Sequence, residues 1–333
     1  MSNVTLSSDT RRTALCNWLA QQTPDLGLRI DTLRPASADA SFRRYFRLDA
    51  NAGSVIAMDA PPDKEDSRPF VRVAELLTRA AVHAPAIIAQ DLEQGFLLLS
   101  DLGSTTYLQA LNDSNADALF ADATGALVKW QLASRAGVLP PYDEALLRRE
   151  LNLFPDWYLA RHLGQTLSDA QRTTLEQQFT LIVSSCLAQP CVYVHRDYMP
   201  RNLMVSEPNP GVLDFQDAVF GPITYDIACL MRDAFISWDE ERVLDWTIRY
   251  WEKARAAKLP VDEDFAAFFR AFEWMGLQRH LKVLGIFARI HYRDAKPGYL
   301  ADTPRFVGYV RAVARRYAQL APLARLFDAL EGV

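Results

Sequence analysis

The chain has 333 residues, 50% hydrophobic and 23% charged, with a net charge of −5. This is globular composition, long enough for two separate cores, and its acidic balance gives no general attraction to nucleic acid or an anionic membrane. No run approaches the ~20 apolar residues that span a bilayer. The first dozen residues hold no apolar core of signal-peptide length, so the expected setting is soluble and cytoplasmic.

In chain order, Ser8-Asp9-Thr10 predicts the capped start of a first helix continuing through Trp18 and Leu19. Ile30 to Leu48 alternates loosely and ends in a strand pattern, Tyr45-Phe46-Arg47-Leu48. Asn51-Ala52-Gly53 is a turn, and Ser54 to Asp59 reads as the paired strand. Arg68 to Ala81 is helical, with Phe70, Val73, Ala74, Leu77 and Ala80 or Ala81 on one face. Ala86 to Ala89 and Gly95 to Ser100 are two further strands. The pattern is a small antiparallel sheet with one helix, followed from Gly103 by mainly helical chain. That places residues 1–102 in one domain and 103–333 in another. Cys16, Cys186, Cys191 and Cys229 show no C-x-x-C pairing and sit among apolar residues, the mark of buried free thiols in a reducing compartment. No obligatory protein partner is implied.

The stretch 192–215 carries the chemistry. Val192-Tyr193-Val194 reads as a strand leading into His195-Arg196-Asp197, and Asn202 follows four residues later, which fits H-R-D-x-x-x-x-N. Leu203 to Val205 and Val212-Leu213 read as a short hairpin closed by Ser206 to Gly211, returning Asp214-Phe215 beside that loop. Phosphoryl transfer from ATP needs one carboxylate to accept the proton of the attacking hydroxyl. It also needs a carboxylate and an amide oxygen to hold Mg²⁺ against the phosphates. Asp197 suits the first task, and Asp214 with Asn202 the second. His195 and Arg196 are scaffold that orients the loop. Each residue alone is an ordinary turn carboxylate or cap; the combination is what points to phosphotransfer. A metal-dependent hydrolase using His195 and Asp197 is disfavoured, because the other four histidines do not cluster at ligand spacing.

Residues Val194 to Val205, Gly211 to Ala218 and Gly221 to Ala228 resemble the aminoglycoside/choline phosphotransferase family. The resemblance extends over roughly residues 10 to 330. It implies an α+β, protein-kinase-like two-lobed fold: a small antiparallel-sheet N-lobe and a mainly helical C-lobe. It also implies ATP and Mg²⁺, and a small-molecule hydroxyl as acceptor. Asp39 to Arg47, Ala57 to Pro62 and Gly95 to Gly103 look closest to the bacterial kinases that phosphorylate N-acetylmuramate and N-acetylglucosamine at the anomeric position in cell-wall recycling. The resemblance further implies that the backbone of Ser100 and Leu102 meets the adenine, and that Asp226 braces the catalytic loop. Many family members carry glutamate where Gln216 stands here, which weakens any metal role for that position.

Two departures from the protein-kinase pattern stand out. No G-x-G-x-x-G is present; its place is taken by the small-residue loop Ala36 to Arg44, whose backbone N–H groups and arginines suit phosphate. Where V-A-I-K places lysine, the strand reads Val55-Ile56-Ala57-Met58. A cation is still needed near the triphosphate, and the candidates are Arg43, Arg44 and Lys64, with Arg43 or Arg44 favoured. Glu75 is either the partner carboxylate of that cation or a surface charge. Met58 also keeps a nucleotide-binding pseudokinase open as an alternative, against which Asp197, Asn202 and Asp214 argue.

For the acceptor, Glu150 can accept sugar hydroxyls, and Trp157 offers an aromatic face to a sugar ring. Phe154 and Trp157 serve equally well as core packing. At 100° per residue, Arg279, Lys282, Arg289 and Arg293 share one arc of a helix, while Leu277, Leu281, Leu284 and Ala288 take another. That basic arc is either a solvated face or a site for an anionic sugar such as N-acetylmuramate. It would repel a polycationic aminoglycoside or choline. Other acceptors of the family, including those two and other sugars, remain the alternative.

Overall fold

The structure, a computed structural model, describes residues 3–22, 24–37 and 42–330. The chain forms two compact units: Met1–Thr105 with Met204–Asp217, and Thr106–Leu203 with Ala218–Val333.

The first unit opens with α1 (Asn3–Gln22), which runs straight through the expected cap at Ser8 to Thr10. Then come β1 (Arg29–Ser37), β2 (Arg44–Ala50), β3 (Gly53–Asp59), α2 (Arg68–Arg79), β4 (Ile87–Asp91) and β5 (Phe96–Ser100). The sheet order is β1-β2-β3-β5-β4 and every pairing is antiparallel. The loosely alternating stretch from Ile30 is thus a separate edge strand, and two shifts in its register against β2 explain why it does not alternate cleanly. Residues 38–41 of the small-residue loop lie outside the described residues. Side chains alternate across the sheet. Phe46, Leu48, Val55, Ala57, Phe96 and Leu98 pack with Leu15, Trp18 and Leu19 of α1. The buried face of α2 is the expected one, Phe70, Val73, Ala74 and Leu77. Gly95 (φ +75°) turns the chain into β5 so close to Ala60 that a Cβ there would stand 1.8 Å from the Ala60 carbonyl oxygen, so only glycine fits.

The second unit is mainly helical: α3 (Tyr107–Ala110), α4 (Ala116–Leu132), α5 (Glu144–Leu151), a nine-residue π-helix (Phe154–His162) and α6 (Asp169–Leu187). β6 (Cys191–Val194) follows, then the hairpin strands β7 (Leu203–Met204) and β8 (Gly211–Val212), and β9 (Val219–Pro222). The hairpin segment Met204–Asp217 is counted with the first unit. There the His83 carbonyl accepts the Val212 N–H at 2.8 Å, and the Phe215 ring lies 4.6 Å from that of Phe70. α7 (Tyr225–Met231), α8 (Glu240–Ala256), the 30-residue α9 (Phe265–Asp294), α10 (Thr303–Arg316) and α11 (Ala321–Ala329) complete the second unit. β6 pairs antiparallel with β9, Val194 opposite Val219, and so fixes both ends of the segment that carries His195 to Asn202. α9 admits the junction between α5 and the π-helix at Gly285, where a Cβ would meet the Leu153 carbonyl at 2.3 Å. All four cysteines are free, but Cys191 is exposed rather than buried, because it opens β6 at the unit's surface.

Candidate active site

In the first unit the two favoured arginines have different partners. Asp59, at the end of β3, is fully buried, and a buried carboxylate requires compensation. It receives Arg44 through Nε at 3.0 Å and Nη2, and Arg11 of α1 through Nε at 2.9 Å and Nη2 at 2.5 Å. The charge of Arg44 is therefore spent on the sheet. The Arg43 side chain, 9% exposed, pairs with Glu65 at 3.1 Å. Glu75 pairs with Arg79 on the outside of α2 and is a surface charge. Lys64 is likewise exposed, beside Asp63. Met58 is fully buried, so its strand position packs the core and points no polar atom outward.

The segment that follows β5 is strapped by Asp101. Its carboxylate accepts Arg47 Nε at 2.5 Å and Nη2 at 2.9 Å, Ser54 Oγ at 2.6 Å and the Gly103 N–H at 2.9 Å. Burial opposes the charge, but these donors hold the carboxyl below the usual range. The Ser100 N–H is taken by the Ala86 carbonyl at 2.9 Å, and Ser100 Oγ accepts the Ala86 N–H at 2.8 Å. The Leu102 side chain is buried. Sequence reasoning missed Asp59, Glu65 and Asp101 as organisers. For Asp59 and Asp101 the signal is a carboxylate at the end of an apolar strand, where it needs a cation; Glu65 lies in the loop between β3 and α2 and carries no such signal.

Asp214 also belongs to this unit. Its backbone is left-handed (φ +61°), and Gln216 Nε2 donates to its Oδ1 at 2.8 Å. Gln216 is buried, and its Oε1 has no hydrogen-bond partner among the described residues. A carboxylate beside an orphaned carbonyl oxygen is a hard-oxygen donor set, the kind Mg²⁺ takes in small number together with phosphate oxygens and water.

The second unit holds the catalytic loop. Asp226, fully buried at the start of α7, accepts the N–H of His195 at 2.7 Å and of Arg196 at 3.0 Å, the brace that the family resemblance implies. Burial pushes its carboxyl up to about 7, against the pull of those two bonds. Arg196 sits at φ +77°, a conformation that persists only when its surroundings over-determine it. They do: besides Asp226, Cys229 Sγ donates to its carbonyl at 3.3 Å and Glu150 holds its guanidinium at 2.5 Å. The Asp197 N–H donates to His195 Nδ1 at 3.3 Å, and its carbonyl accepts the Met199 N–H at 3.0 Å and Asn202 Nδ2 at 2.9 Å. The Asp197 side chain has no hydrogen bond or ion pair among the described residues and is half-buried. With its amide nitrogen turned to Asp197, Asn202 has its carbonyl oxygen as the end suited to a cation.

Glu150 and Lys282 meet each other. Glu150 accepts Lys282 Nζ at 2.9 Å, Arg196 Nη2 at 2.5 Å, Gln278 Nε2 at 3.3 Å and the Tyr142 hydroxyl. Burial raises its pKa, yet Lys282 and Arg196 outweigh that and hold it at about 2. Lys282 also donates to the Tyr225 hydroxyl at 2.9 Å. Arg279 is buried and donates to the Arg232 carbonyl at 3.1 Å. The basic arc is therefore no solvated face: Arg279 and Lys282 lie inside, Arg289 is half-buried and Arg293 exposed, because α9 leaves the core toward its C-terminus. Trp157 is half-buried on the π-helix. Phe154 is core, stacked on Tyr158 and Phe327.

A five-stranded antiparallel sheet, a mainly helical remainder and an H-R-D-x-x-x-x-N loop braced by a buried aspartate define a kinase-like phosphotransferase. Residues 32–263 match the phosphotransferase enzyme family, and the chain belongs to that family. It is 55% identical over 330 residues to a Pseudomonas putida protein named N-acetylmuramate/N-acetylglucosamine kinase, covering 97% of each chain. A Pseudomonas aeruginosa protein of the same name is 55% identical over 332 residues, 98% of each chain. Among solved structures, choline kinase from Cryptosporidium parvum superposes with a TM-score of 0.60 at 11% identity, over 98% of this chain and 100% of that one. This last likeness is one of fold.

Proposed function

We propose that this protein transfers the γ-phosphoryl group of ATP to the anomeric hydroxyl of N-acetylmuramate and N-acetylglucosamine, a cytoplasmic step of cell-wall recycling. The observation that carries the reading is the 55% identity, end to end, with the P. putida protein of that name. The local geometry of the motif residues supports it.

Asp197, whose carboxylate carries no partner among the described residues, orients the acceptor hydroxyl and takes its proton as the bond to phosphorus forms. The transition state of such transfers is loose, so positioning outweighs proton abstraction. An anomeric hydroxyl is more acidic than an ordinary alcohol, which lightens the task further. Asp214 and Asn202 are the proposed Mg²⁺ ligands, and Gln216 steadies Asp214 through its amide N–H. When bound, Mg²⁺ neutralises charge on the phosphate oxygens. Arg43, held by Glu65, supplies the cation that Met58 cannot. The backbone of Ser100 and Leu102, steadied by Asp101 and Arg47, receives the adenine; the Ser100 N–H is already used, so its carbonyl is the group offered. Glu150 and Lys282 serve the acceptor end by fixing Arg196 and with it the loop. Arg279 and Trp157 face the sugar.

The test is ADP release measured with Mg-ATP across N-acetylmuramate, N-acetylglucosamine, choline and an aminoglycoside. The two amino sugars are expected to be the acceptors. Turnover only with choline or the aminoglycoside would retain the kinase and reject the substrate. Tight Mg-ATP binding with no turnover on any acceptor would make the protein a nucleotide-binding pseudokinase.

A further inference from the structure

Arg279 and Lys282 are the buried cations of α9, and they are compensated differently. Arg196 and Lys282 share the carboxylate of Glu150, and Arg232 is paired with Glu240 at 2.7 Å. Arg279, 2% exposed, has no carboxylate at ion-pair distance among the described residues; its hydrogen bond goes to a backbone carbonyl, that of Arg232. A buried guanidinium is tolerated only where something compensates its charge.

The next residue along that backbone is Asp233, 1% exposed. Its Oδ1 accepts the Phe235 N–H at 3.1 Å, while its Oδ2 is buried with no hydrogen-bond partner among the described residues. Burial pushes this carboxyl up, while Arg279, close enough to act on it electrostatically, pulls it back. Burial works against the Arg279 charge, yet its surroundings, Asp233 and Asp197 included, hold it firmly protonated. Arg279 is therefore left without a directly paired carboxylate, and Asp233 with one buried oxygen unsatisfied, in the electrostatic neighbourhood of Asp197. Buried polar atoms in native proteins are nearly always met by protein groups, ordered water or a ligand, so an unmet one calls for an explanation.

We propose that Arg279, with Asp233 beside it, forms the subsite that takes the carboxylate of an acidic acceptor sugar. Arg279 pairs with the carboxylate in the bidentate manner that guanidinium geometry favours. Asp233 Oδ2 takes a hydroxyl of the same sugar. Lys282 is excluded from this role because Glu150 already holds it. The inference rests on the function proposed above and assigns its acidic acceptor, N-acetylmuramate, a recognition element that the neutral N-acetylglucosamine does not use.

The test measures kcat/KM for both sugars in wild type, R279Q, R279K and D233N. The ratio of muramate to glucosamine is expected to fall about 30-fold in R279Q, the size of a lost charged hydrogen bond, whatever loss the two sugars share. Should R279Q not fold, R279K keeps the buried charge and is expected to lower the same ratio about fivefold, through weaker pairing. D233N is expected to lower both sugars alike. A third arm needs no variant: the methyl ester of N-acetylmuramate, which lacks the charge, should be a poorer substrate of the wild type by the same factor as R279Q. An unchanged ratio, an equal loss on both sugars with a raised KM for ATP, or an ester used as well as the acid would each overturn the proposal. Wild type that phosphorylates neither sugar would instead overturn the function on which it rests.

Discussion

Two adjacent arginines, Arg43 and Arg44, look interchangeable along the chain and have different tasks in the fold. Arg44 helps neutralise Asp59, which is fully buried. Arg43 pairs with Glu65, which is half-buried, at 3.1 Å. Replacing Arg44 by alanine is therefore expected to lower stability by about 2–3 kcal/mol, since Arg11 remains to hold Asp59, and to leave the KM for ATP within about threefold. Replacing Arg43 by methionine is expected to do the reverse, raising the KM for ATP about tenfold or lowering kcat, with a melting temperature near that of wild type. Thermal melts read beside ATP titrations check both, and the opposite assignment of the two losses would refute the division of labour. At Asp197, substitution by asparagine keeps the shape and removes the proposed base. A fall in kcat of about 10²–10⁴-fold with little change in KM is expected from steady-state kinetics.

Among the elements, the catalytic loop shows how a short motif depends on distant helices. Its strained residue, Arg196, is held by Glu150 from α5, and Glu150 is held in turn by Lys282 from α9. Changing Glu150 to glutamine leaves two buried cations facing a neutral amide. The expected cost is about 3–5 kcal/mol of stability at pH 7, read by chemical denaturation, with a large loss of activity as the loop relaxes. The pH dependence has a definite sign. In the folded protein Glu150 titrates at about 2, below its ordinary 4.5. Its contribution is therefore complete above about pH 4.5 and is lost as pH falls through 2. The stability gap between wild type and E150Q should narrow over that window, by up to about 3 kcal/mol. A gap that stays constant from pH 6 to pH 2 would show that Glu150 is not held ionised by its two cations.

Across the molecule, legibility in the sequence followed distance along the chain. The loop from His195 to Asn202, the β2–β3 hairpin and the apolar face of α2 are set by neighbours, and they could be read from spacing and turn residues. The Arg11–Asp59 pair spans 48 positions and the Gln278–Glu150 contact 128, so no local pattern announces them. The arc of Arg279 and Lys282 was visible as a period, but its burial was not. Helical periodicity places charges on one side of a helix without saying whether that side meets water or an opposing carboxylate. The π-helix was equally hidden, since nothing in the local sequence from Phe154 to His162 distinguishes it from an α-helix.

Which hydroxyl of the sugar carries the phosphate decides the function. Product made from N-acetylmuramate and Mg-ATP, examined by phosphorus and proton NMR, is expected to show phosphorus coupled to the proton on the anomeric carbon. Coupling to the protons on carbon 6, or no phosphorylated sugar at all, would contradict the reading of this protein as an anomeric amino-sugar kinase.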